Sequence, residues 1–262
     1  MSDIHESKDL RNIAIDFIGL TNVKLPFTFK SKRPYATVAT VNAGVYLTPE
    51  KKGARLSWIV EALNNYFANK EFVIKDFASL VQNISDNLET KDVSVLAKFQ
   101  VIMPIETPVS KKISYKEIDI EIKTNLKDNC VYSELKLGVY GAMCCPNSKA
   151  KSKYGAHSQR CYLTVNMIGD IGNIFVEDVA VLLDDAFSAP VYSVVKSVDE
   201  VLMTEQAYEN PKFTEDLIRD SIILLKEKYN NVSFIVEAEN FESIHSHNVL
   251  ARGTYNNGGN IC

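Results

Sequence analysis

The chain is sparing with the residues that most often carry chemistry. Its 262 residues include four histidines, five cysteines and a single tryptophan. No apolar run approaches the ~18 residues of a membrane-spanning helix, so no membrane partner is expected. The opening Met1-Ser2-Asp3-Ile4-His5-Glu6 has no basic region followed by an apolar stretch. That argues against a secretory leader and makes the cytoplasm the expected compartment. Positive charge is not in excess either. The net charge is −4 and the pI about 5.7, so no broad basic field would attract nucleic acid, although a local basic patch suffices for a small anion. An odd number of cysteines without an export signal reads as free thiols or metal ligands rather than a disulfide framework. Cys144 and Cys145 are adjacent, so a bridge between them would be strained. Cys130 and Cys161 read as small hydrophobes packed inside strands.

What the chain does have is periodicity. Residues 1–30 are mixed and read as an arm. Tyr35, Thr37, Ala39, Val41, Ala43 and Val45 then alternate as one face of a strand. Two amphipathic helices follow, one through Ile59, Leu63, Tyr66 and Phe67, the next through Ile74, Phe77, Leu80, Val81, Ile84 and Leu88. Strands fit Val93 to Ile105, Tyr115 to Lys123 and Val131 to Ala142. The order then recurs: a strand from about Gln159 to Ile168, a helix through Phe175, Val179, Leu182, Leu183 and Phe187, and a helix opening at Asn210-Pro211 with the stripe Ile218, Ile222, Leu225 and Tyr229. Strands at Val232 to Ala238 and about Ile244 to Thr254 close the chain. The expectation is an α+β protein of two similar modules, residues 31–145 and 146–262, with antiparallel sheets carrying helices on one face. An open sheet leaves edges to be covered, which oligomerisation into a barrel accomplishes.

Three of the four histidines fall in two short polar clusters. One is Cys144-Cys145-Pro146-Asn147-Ser148-Lys149 with Gly155-Ala156-His157; the other is Glu242-Ser243-Ile244-His245-Ser246-His247. Cys, His and Glu are the ligand types of a catalytic zinc-like centre, with a general acid or base beside it. Cys145 and His157 flank a polar turn and can reach one metal, although their spacing alone matches no recognised signature and equally fits a surface turn. His245 and His247 share a face if they lie on a strand, and Glu242 has the opposite parity, joining them only across a bend or bulge. Between the clusters, residues 196–211 lack apolar periodicity and read as a long loop, a type that is often functional. The helix after it carries Glu215 and Asp216 in its first turns, where the dipole keeps a carboxylate ionised: either a favourable end charge or an acceptor for a substrate's N–H groups. Lys149, Lys151, Lys153 and Arg160 are either a solvated face or contacts for a polyphosphate.

Cys145-Pro146-Asn147-Ser148-Lys149 through Gly155-Ala156-His157-Ser158-Gln159-Arg160 resembles the signature loop of GTP cyclohydrolase I, type IB. Val191-Tyr192 to Lys196, Asp199-Glu200, Thr204-Glu205, Ala207 to Pro211, Phe213 to Asp216 and Glu242 to His247 continue the resemblance in order. It is dense from about residue 134 to 252 and traceable from about residue 10. It implies a tunnelling fold with two modules per chain, a homotetramer, and metal-dependent conversion of GTP to 7,8-dihydroneopterin triphosphate and formate, the entry to tetrahydrofolate. By position it implies Cys145, His157 and Glu200 as ligands of a divalent zinc, manganese or iron ion. Glu215 would anchor the guanine edge, and Lys149, Gln159 and Arg160 would contact substrate. Glu242, His245 and His247 would serve the metal site and the proton transfers, with Cys145 and Glu215 counted among the catalytic set. The chain departs from the family at Asn147, usually a second cysteine, at Cys144, usually aliphatic, and at Arg55 and Trp58, usually His and Arg. Those departures leave open a paralogue that makes a cyclic-phosphate pterin, or that binds purine or pterin without turnover. A cysteine nucleophile, as in a nitrile reductase of the same fold, is a further reading that the histidine-rich closing motif opposes.

Overall fold

The structure, a computed structural model, describes residue 5, residues 7–68 and residues 70–258. Among these residues ten strands and six helices follow one another, the first half being β1 (Ile15–Lys30), β2 (Pro34–Leu47), α1 (Leu56–Phe67), β3 (Glu71–Phe72), α2 (Asp76–Leu88), β4 (Asp92–Glu106), β5 (Ile113–Lys127) and β6 (Cys130–Cys144). The second half contains α3 (Pro146–Lys151), β7 (Ser158–Gly169), α4 (Val176–Asp184), β8 (Ala189–Pro190), α5 (Ser197–Glu209), α6 (Thr214–Lys228), β9 (Val232–Asn240) and β10 (Val249–Tyr255).

One sheet runs in the order β10-β9-β7-β6-β5-β4-β2-β1-β3, with β8 added against β6. All pairings are antiparallel except the short β1–β3 contact. The strict alternation of β5 shows why the sheet has two different faces. Ile118, Ile120 and Ile122 are buried against the helices, while Glu117, Asp119 and Glu121 point the other way. Under α1 and α2 the core is aromatic: Phe27, Phe67, Phe72, Phe77 and Phe99 meet mostly edge to face. Under α4 and α6 it continues through Leu163, Val165, Met167, Val179, Leu183, Leu217, Leu225 and Phe234.

Three expectations change. Residues 15–30, read as part of an arm, form β1, paired along its length with β2. Its alternation is interrupted by register shifts, with Asn22 at φ 60° between Leu20 and Val23, which hides the strand from a period-two reading. Residues 197–209 are helix, not loop. Cys130, half-buried at the start of β6, is disulfide-bonded rather than free, whereas Cys161 is the buried small hydrophobe expected.

Candidate active site

The end of β6 is where the two polar clusters meet. Cys145 leaves the strand in extended conformation and caps α3, with Pro146 at the first helical position. Its Sγ accepts the backbone N–H of Ser148 at 3.4 Å. The loop closes on itself: the Cys145 N–H donates to the His157 carbonyl at 3.1 Å, and the His157 N–H donates to Ser148 Oγ at 3.2 Å. The turn that sequence spacing left open is therefore a bonded loop holding thiol and imidazole at one rim.

Burial alone would push the Cys145 thiol up. The N–H and hydroxyl of Ser148, the N–H of Asn147 and the adjacent His157 outweigh it, and the thiol ionises below its ordinary value. Cys144 shows the reverse. It is buried with Ala189 and Ala207, and desolvation raises its thiol against the opposing charge of Lys149. Only one of the adjacent pair is thus prepared as a thiolate, the form in which sulfur binds metal.

His157 Nδ1 lies 2.9 Å from Gln159 Oε1. A carbonyl oxygen only accepts, so the proton sits on Nδ1 and Nε2 is left as the free donor pair. Ser243 Oγ completes the contact, 3.3 Å from Gln159 Oε1 and 3.4 Å from His157 Nδ1. The segment carrying the second histidine cluster therefore touches the first. Glu242 is held by Asn240, whose Nδ2 donates to its Oε1 at 2.8 Å.

His245 and His247 do not lie on a strand. β9 ends at Asn240 and β10 starts at Val249, with a series of bends between. Serine-rich chain after the strand end breaks the ladder, and the two exposed imidazoles stack on each other at 5.2 Å between ring centroids. The backbone irregularity required by the parity of Glu242 is present, as the end of β9 rather than as a bulge.

The remaining residues are spread around this rim. Gln159 and Arg160 fall on opposite faces of β7: Gln159 turns to His157, and Arg160 to the helix-free face, where its guanidinium sits 5.6 Å from the Tyr140 ring centre. Lys149 is half-buried and bonded to the Tyr208 carbonyl, with its ammonium 4.5 Å from that ring centre. The Lys212 N–H donates to the Cys144 carbonyl at 3.0 Å, tying the start of α6 to the end of β6. Glu215 is exposed in the first turn of α6, and that helix begins at Thr214 rather than at Asn210, because Asp216 accepts the N–H of Phe213. Glu200 is exposed in the first turn of α5. Among the described residues, no three His, Cys, Asp or Glu side chains stand close enough to hold a metal ion. Cys145 and His157 supply two suitable donors, and Glu200 does not join them within one chain.

Sequence reasoning passed over Ser148, Ser243 and Asn240, which organise the site, and read Gln159 as a substrate contact rather than an imidazole partner. Nothing in their local pattern distinguishes them from surface polar residues.

The fold is shared with proteins of very different sequence. The chain superposes on the crystal structure of uricase from Arthrobacter globiformis with a TM-score of 0.53, covering 93% of this chain and 94% of that one at 10% identity. An α+β tunnelling fold with a Cys/His rim is thus the class that fold and site define. Residues 1–251 match the model of the type I GTP cyclohydrolase FolE2 family. A GTP cyclohydrolase FolE2 from Methylobacillus flagellatus is 35% identical over 254 residues, 96% of this chain and 94% of its own length. The one from Neisseria gonorrhoeae is 34% identical over 260 residues, 97% and 98% respectively. The chain belongs to the type I GTP cyclohydrolase FolE2 family.

Proposed function

We propose that the protein hydrolyses GTP to 7,8-dihydroneopterin triphosphate and formate, the first step of tetrahydrofolate synthesis, as a metal-dependent cytoplasmic homotetramer. The observation that carries this reading is the convergence of Cys145, His157, Gln159 and Ser243 at one rim of a chain that matches the family over almost its whole length. Among the described residues, no helix is long and apolar enough to cross a membrane.

Cys145 and His157 Nε2 would hold a divalent zinc, manganese or iron ion, with Glu200 completing the set when subunits assemble. Such an ion supplies Lewis-acid activation of water for attack at C8 of the purine. Gln159 holds His157 in the tautomer that leaves Nε2 free. Glu215 accepts the N–H groups of the guanine edge. Lys149 and Arg160 meet the phosphates. His245 and His247, both exposed, pass protons to and from the opening imidazole ring, and Glu242 orients them.

Assembly is supported by an uncovered apolar face. Val194, Val195, Val198, Val201 and Leu202 are all exposed along and just before α5, the helix that bears Glu200.

The test is incubation of purified protein with GTP and Mn²⁺ or Zn²⁺, following pterin fluorescence and formate, with product mass measured. Both products appear, and chelation stops them. A cyclic-phosphate product, or GTP binding without formate, would replace this reading with that of a divergent paralogue.

A further inference from the structure

The helix-free face of the sheet carries an aromatic and hydrogen-bonded row that the site described above does not use. Tyr140 on β6 and Tyr162 on β7 are directly opposite each other across the strands, with ring centres 4.7 Å apart. Tyr162 donates its hydroxyl to Asp119 Oδ2 at 2.7 Å, and Gln100 Nε2 donates to the other Asp119 oxygen at 2.9 Å. To reach Asp119 the phenol passes over Gly138, where a Cβ would lie 2.0 Å from the hydroxyl oxygen. That position admits only glycine while the bond is made. Phe241 also packs against Tyr140, with ring centres 6.4 Å apart.

The row ends at Arg160. Its guanidinium lies over the Tyr140 ring, and its carbonyl accepts the N–H of Phe241 at 3.0 Å, one residue before Glu242. A long cationic side chain on an exposed strand end ordinarily samples many rotamers, and ordering it costs entropy each time it binds. Here the Tyr140 ring, packed against Tyr162 and Phe241 and anchored through Tyr162 to a carboxylate, gives the guanidinium a fixed neighbour that narrows its rotamers.

We propose that Tyr140 and Tyr162 are positioning residues that hold the Arg160 guanidinium ready for the substrate's phosphate groups. The proposal rests on the reading of Arg160 as a phosphate contact. The tyrosines touch no substrate; they act by reducing the ordering cost that Arg160 would otherwise meet on binding. The effect falls on affinity rather than on the chemical step, so KM changes and kcat does not.

The experiment measures GTP affinity and steady-state turnover for the parent, Arg160→Ala, Tyr140→Leu, Tyr140→Phe and Tyr162→Phe, and for each tyrosine change in the Arg160→Ala background. Arg160→Ala weakens GTP binding. Tyr140→Leu raises KM about tenfold, equivalent to about 1.4 kcal/mol, with kcat near the parent value. Tyr140→Phe, which keeps the ring, restores parental KM. Tyr162→Phe keeps every ring, removes the bond to the Asp119 carboxylate and raises KM about threefold. In the Arg160→Ala background neither tyrosine change adds anything. A further rise of equal size in that background overturns the proposal while leaving Arg160 as a phosphate contact. Unchanged GTP affinity in Arg160→Ala overturns both. If Tyr140→Leu does not fold, Tyr162→Phe alone and with Arg160→Ala makes the same comparison.

Discussion

Asp199 holds Ser110 by two bonds from one side chain: Oδ1 accepts the Ser110 backbone N–H at 2.9 Å, and Oδ2 accepts its hydroxyl at 2.5 Å. The same carboxylate takes the N–H of Val109 and that of Lys196. A fully buried acid thus ties the loop after β4 to the start of α5, one residue from Glu200. Burial opposes its ionisation, but the Ser110 hydroxyl and N–H and the other two N–H groups outweigh that, and the carboxyl lies far below its ordinary value.

Asp199→Asn therefore lowers the melting temperature by several degrees and reduces turnover more than Glu200-independent GTP binding. Because the folded-state value is depressed, the contribution is present above the unfolded-state value and is lost as pH falls below about 4. Thermal melts of parent and variant converge in acid. Melting curves equally separated at pH 7 and at low pH would remove this carboxylate as the source.

The adjacent cysteines differ in reactivity. With metal chelated, iodoacetamide near neutral pH alkylates Cys145 well before Cys144, since the first thiol is lowered and partly accessible and the second is raised and buried. Peptide mass spectrometry reads the order. Cys145→Ala abolishes metal-dependent formate release while the assembly, followed by light scattering, persists.

Gln159→Leu takes away the acceptor that fixes the tautomer of His157. Metal affinity, measured by competition with a chromogenic chelator, falls about 10- to 100-fold, the usual cost of removing such a partner. Unchanged affinity would show that Gln159 meets substrate instead.

Glu215→Ala weakens recognition of guanine more than binding of the triphosphate. The ratio of GTP to ATP affinity, from titration calorimetry, falls toward one. Retained selectivity would place guanine recognition elsewhere.

Gly141→Ala probes the core behind the site. A Cβ there would come within 2.2 Å of the buried Phe187 ring. Overpacking of this kind costs about 1–3 kcal/mol, and urea denaturation measures it.

Most strands and the two helices of the first half are legible because their apolar residues obey periods of two and 3.6, as in β4 and α2. Helix α5 is not, because its burial runs against hydropathy. Asp199 is inside, while Val198, Val201 and Leu202 are outside. An exposed apolar face and a buried acid together erase the amphipathic signal. The strand expected around His245 and His247 failed for a different reason, since alternation in a short serine-rich run is compatible with bends as readily as with a ladder.

The amino-acid sequence by itself determined the α+β alternation, the pairing of a Cys145 loop with a distant histidine segment, and the family, because each depends on residue identity and order. Only the tertiary structure decided which polar side chains meet. It gave Gln159 and Ser243 to His157, set Arg160 on the opposite face of the same strand, and left Glu200 apart from Cys145 within one chain. Such contacts follow from strand register and loop closure across the sheet, which no local pattern encodes.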